Sequence, residues 1–247
     1  MKNIKVQQLA QLSAAGLPPW VRLLRAVIGV CLAPAVYALA LALWKSILAP
    51  HAGGGSRVMG ISADVVAFAG GVALFTLIYN VLPRPTRAYV LAHELTHAFF
   101  ALLDGAKVGK ITIRSDQGSV AISKTNTLTL LAPYFFPFYT LVLILAVGIT
   151  ACFVSVAPYR IVIVALIGFS WGFHLCFTVS TLLQHQTDLS RCGVIFSWVL
   201  IAYLNLAILA LGLLTATSAS FVDFAKTWWT TNAHIYLWLW TKIAGMF

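Results

Sequence analysis

The chain has 247 residues, 61% of them hydrophobic and 9% charged, with a mean hydropathy of +0.93 and a formal net charge of +10. A soluble domain is about 45–50% apolar and about 25% charged, and a disordered chain is more polar still, so both are excluded and a polytopic membrane protein remains. The basic residues lie singly or in pairs between apolar runs. That distribution suits contact with a lipid bilayer carrying anionic headgroups and offers no nucleic-acid groove.

Residues 1–22 mix polar and apolar side chains, with Pro18-Pro19-Trp20 just ahead of Arg22 and Arg25, and read as an interfacial lead-in. The first long apolar run, Leu23 to Leu48, exceeds a signal-peptide core and is expected to be retained as a span. A second runs from Ile61 to Leu82, where Gly70-Gly71 permits close helix packing, and stops at Pro83-Arg84-Pro85. A third, Thr86 to Leu103, is barely long enough to cross.

Period-2 alternation then appears in Ile111 and Ile113 and again in Val120 and Ile122, around Ser115-Asp116-Gln117-Gly118. This pattern predicts a β-hairpin over residues 108–123. A fourth apolar stretch, Leu128 to Ala157, should kink at Pro133 and Pro137. A fifth runs from Ile161 to Leu183 and a sixth from Gly193 to Leu214. In the tail, residues 216–247, Trp228, Trp229, Tyr236, Trp238 and Trp240 are mixed with Lys226, His234 and Lys242, which predicts an interfacial helix. The expected architecture is an all-α polytopic membrane protein of about six transmembrane helices with one short membrane-associated hairpin. The cysteines Cys31, Cys152, Cys176 and Cys192 are scattered without a CxxC pair, against a disulfide framework or a thiolate metal site.

The third span reads His93-Glu94-Leu95-Thr96-His97, an HExxH motif on a helix. Four-residue spacing sets His93 and His97 on one face, a turn apart, where two imidazoles can share one Zn²⁺. Glu94, the only glutamate in the chain, stands beside them as a general base. Ionisable groups inside a span cost about 2.5–3.5 kcal/mol each, so three together imply a function. A catalytic zinc takes a third protein ligand, for which Asp188, His185, His174, Asp64 and Asp104 are candidates. His174 and Asp188 would stand about 21 Å apart on a continuous helix, so both cannot touch one metal. Alternating six spans puts the hairpin and the end of the fifth span on one side, which favours Asp188. His174 is expected to hydrogen-bond between helices, and Gln184 and Gln186 to orient Asp188 or hold a substrate carbonyl. The same alternation divides the basic residues almost evenly between the two sides, so charge leaves the orientation open.

This order of an HExxH span, a hairpin, a proline-broken span and a later span ending in an aspartate resembles the site-2 protease family of intramembrane zinc metalloproteases, over about residues 86–200. The likeness is to small members without a PDZ domain. The resemblance implies that His93, His97 and Asp188 bind Zn²⁺ and that Glu94 is catalytic. It also implies that the hairpin holds an unwound substrate as an added strand. Residues 86–215 would then be the catalytic core, 1–85 the lead-in with two accessory helices, and 216–247 the interfacial tail. The implied partner is a membrane protein with a transmembrane segment, and the implied setting a bacterial cytoplasmic membrane with the hairpin and zinc near its cytoplasmic face. Leu189 follows Asp188 where the family usually has glycine, and Ala132-Pro133 is followed by Tyr134 and Phe135 in place of the family's Gly-Pro with a later Asn. A second reading keeps the fold and the zinc without proteolysis, as a binding or chaperone-like partner.

Overall fold

A computed structural model describes residues 18–48, 57–58, 61–115, 117–184, 186–217 and 220–246. Helix α1 (Pro19–Leu48) precedes a short pairing of β1 (Arg57–Val58) with β2 (Ile61–Ser62). Then come α2 (Ala63–Val81) and α3 (Thr86–Leu103). β3 (Val108–Ile113) and β4 (Gly118–Ile122) form the antiparallel hairpin that the alternation predicts, with Ile111 opposite Val120. Asn126 caps α4 (Thr127–Phe135) by accepting from the Thr129 amide. A bend of 72° separates α4 from α5 (Phe138–Ala151), at Pro137, which cannot donate to continue the helix. A 3₁₀ turn leads into α6 (Arg160–Leu182), followed by the short α7 (Thr187–Cys192), α8 (Val194–Thr217) and α9 (Phe221–Ala244).

By length and composition, α1, α2, α6 with its leading turn, and α8 can each cross a membrane, and the bent α4–α5 pair makes a fifth crossing if taken as one span. The six alternating crossings expected from the sequence are not what the helices form. The difference is α3. Arg87, His93, Glu94 and His97 make it too polar to stand with the others.

Helix directions show where α3 goes instead. α2 and α6 run parallel, in contact from the Asp64–Arg160 ion pair at one end to the edge-on Tyr79–Phe177 rings at the other. Their backbones nearly touch: a Cβ on Gly71 would lie 2.0 Å from the Ala165 carbonyl oxygen, and one on Gly168 2.1 Å from that of Phe68. Gly70 has nothing within 4 Å, so only the second glycine of the pair serves the packing. Since α2 and α6 point the same way, the chain between them must return once along the bundle. The bent α4–α5 pair makes that return. α3 therefore starts at the end where α2 stops and stays in that half of the bundle. Its last residue is followed by Asp104, which pairs with Lys124 just before α4.

α1 and α8 are also parallel: Arg25 lies over the Phe196 ring, and Leu43 packs with Ala210 and Leu213. One end of the bundle thus gathers the start of α1, the ends of α2 and α6, the hairpin, α7 and the start of α8. This is the site end. The tail helix α9 runs antiparallel along α1, from Phe224, packed on the Leu43 cluster, to Tyr236, whose hydroxyl donates to the Cys31 carbonyl at 2.6 Å. Over that stretch it packs along α1.

Candidate metal centre

His93 and His97 project from one face of α3, as their spacing requires, and their Nε2 atoms are 3.2 Å apart. Asp188, in the first turn of α7, brings Oδ2 to 3.6 Å from His97 Nε2. One ligand atom from each of the three lies within 4.8 Å of the others. Ligands held at about 2.0–2.2 Å from one ion at tetrahedral angles stand about 3.3–3.5 Å from each other, and the His93–His97 and His97–Asp188 pairs, at 3.2 and 3.6 Å, lie near that spacing.

Hydrogen bonds on the far side of each ring support this donor set. The Thr129 carbonyl lies 2.8 Å from His97 Nδ1. A carbonyl only accepts, so Nδ1 carries the proton and a neutral ring presents the Nε2 lone pair. His93 Nδ1 meets the Tyr89 hydroxyl at 3.2 Å, which likewise points its Nε2 at His97. The Tyr89 ring is itself fixed by stacking on Phe177, 4.7 Å between centroids. Asp188 accepts from the hydroxyl of the fully buried Tyr134 at 3.2 Å. Burial opposes ionisation of Asp188, and the hydrogen bond from Tyr134 favours it.

Glu94 is buried and faces the same cavity as the two histidines, about 1100 Å³ in volume. The cavity is closed on one side by β4, from Gly118 to Ile122, and on another by the segment that joins α6 to α7. Gly118 sits directly on the acid: a Cβ there would fall 2.7 Å from Glu94 Oε1. The hairpin is therefore a wall of the site. Gln184 and Gln186 line the cavity beside Asp188.

The other ligand candidates are engaged elsewhere. Asp64 pairs with Arg160, Asp104 with Lys124, and His185 lies outside the described residues. His174 is buried, and its Nε2 meets Asn205 Oδ1 at 3.1 Å; Asn205 in turn donates to the Tyr134 carbonyl. His174 is thus joined to Asp188 through Asn205 and Tyr134, and it also lines a small cavity with His93. Asp188 forms no ion pair with Arg191.

Several contributors escape a reading of the sequence. Tyr89 alone leaves a signal there, since it extends the His93–His97 stripe one turn upstream. Tyr134, Asn205 and the Thr129 carbonyl come from distant segments with no motif. Nor does the sequence single out Arg25, which donates to the Cys192 carbonyl at 2.9 Å and so ties α1 to the end of the helix carrying Asp188. Leu189 is buried with Leu131 and Tyr134 in one apolar cluster, which explains a large side chain after the aspartate. Comparison with protein-family models, curated proteins and solved structures found no significant match.

Proposed function

We propose that the chain is a zinc-dependent intramembrane endopeptidase of the site-2 protease kind, which hydrolyses a peptide bond within or near a transmembrane segment of another membrane protein. The observation that carries this reading is the convergence of one ligand atom each from His93, His97 and Asp188 within 4.8 Å of one another, with Glu94 on the same cavity. His93, His97 and Asp188 would hold the ion. Zinc, when bound, polarises a carbonyl and makes water nucleophilic near neutral pH. Glu94 takes a proton from the attacking water and passes it to the leaving amine. Its burial between α3 and β4 fixes the carboxylate where it must act. The open face of β4 accepts the unwound substrate as an added strand, offsetting the hydrogen bonds that unwinding breaks. Bundle helices and hairpin together limit water at the cut.

Protein purified in detergent should hold about one zinc per chain by elemental analysis, and His93→Ala or His97→Ala should lose it. Glu94→Gln should keep the metal and abolish cleavage of a reporter transmembrane segment. If Glu94→Gln cuts as fast as the parent, the proteolytic reading fails. Zinc retained in a parent that cuts no reporter would favour the non-proteolytic reading instead.

A further inference from the structure

The metal cavity carries charge that the proposed chemistry leaves unused. Besides Glu94 and Asp188, its charged lining residues are Arg84 and Arg191. Asp64 pairs with Arg160 and Asp104 with Lys124, and Asp188 in the cavity lies 3.6 Å from His97. Neither arginine forms an ion pair among the described residues. Arg84 is also held in place. It lies between Pro83 and Pro85, and its guanidinium sits 4.4 Å from the centroid of the Tyr79 ring. Two prolines restrict the backbone and the aromatic face restricts the side chain, so little entropy remains to be lost when a planar anion arrives. Arg191 is one turn beyond Asp188 on α7 and faces the same space.

We infer that Arg84 and Arg191 form a subsite for a carboxylate of the substrate peptide, an Asp or Glu side chain or a chain terminus close to the bond that is cut. This rests on the proteolytic reading for its substrate but on separate residues for its recognition. A peptide is favoured over a lipid headgroup because the arginines share one cavity with Glu94, the β4 wall and the amides of Gln184 and Gln186. Thr86 to Glu94 spans about 12 Å of helix, the length of three or four extended residues. The positions searched for the acidic group therefore extend several residues from the scissile bond.

The test is binding, which does not require turnover. Reporter transmembrane peptides carrying Glu, Gln or Lys at each position within five residues of the cut are titrated onto zinc-loaded Glu94→Gln protein in neutral, phosphatidylcholine-only bicelles. At one position Glu should bind about tenfold more tightly than Gln, and Lys more weakly than either. In Arg84→Gln and Arg191→Gln, made separately so that one misfolded variant does not decide the matter, the Glu-to-Gln ratio should fall toward one. A ratio near one at every position in the parent overturns the inference, as does a ratio that survives both substitutions. A ratio near one together with binding that rises only when anionic lipid is added, and not in Arg84→Gln, assigns the arginines to headgroups and also overturns it. Failure of the parent to cut any peptide sinks the proteolytic reading, while the binding ratio still decides the subsite.

Discussion

Tyr134 can neither ligate the ion in the usual way nor reach a substrate from full burial, yet its hydroxyl is what Asp188 rests on. Outer hydrogen bonds of this type commonly alter metal affinity by about ten- to a hundredfold. Tyr134→Phe should therefore weaken zinc binding by that factor in a chelator competition, while the lost hydrogen bond costs only about 1 kcal/mol of stability. An unchanged zinc affinity would mean that Asp188 is placed by α7 alone. Gly118 poses the opposite case, because the atoms a methyl would strike are side-chain atoms, the Glu94 carboxylate among them. Gly118→Ala is expected to leave the fold and the zinc content intact but to push the carboxylate aside. The expected cost is about tenfold or more in kcat on a reporter peptide.

At the scale of elements, the legible parts were those whose information is local. HExxH needs one helix, the hairpin needs alternation around a glycine turn, and the break near Pro137 needs one residue that lacks an amide proton. What the sequence hid depends on pairs of segments. The run from Thr86 to Leu103 has a span's length, and only the parallel course of α2 and α6 shows that it does not run the length of the bundle. That course in turn depends on Gly71 and Gly168, whose missing side chains let the two backbones meet. Gly168→Ala should force the helices apart and cost about 1–3 kcal/mol, the usual range for overpacking. Thermal unfolding in detergent reads the loss, and Gly70→Ala, with open space around it, serves as the silent control.

For the whole molecule, the helix directions redistribute the charge. With α3 confined to the site end, Arg22, Arg25, Arg84, Arg87, Lys107, Lys110, Arg114, Lys124, Arg191 and Lys242 gather at that end, leaving Lys45, Arg57, Arg160 and Lys226 at the other. Six alternating spans divided these residues almost evenly only because they placed the hairpin opposite the start of α1. Basic residues in short loops stay on the cytoplasmic side of a membrane. The asymmetry therefore predicts that the site end, with the hairpin and the start of α1, faces the cytoplasm. In a cysteine-free background, a cysteine at Ser115 should react with an impermeant maleimide only in inside-out vesicles, and one at Ser155, between α5 and α6, only in right-side-out vesicles. Labelling of both from the same side would contradict the single net crossing between them. Labelling of each from the opposite side to that expected would keep the topology and overturn the orientation.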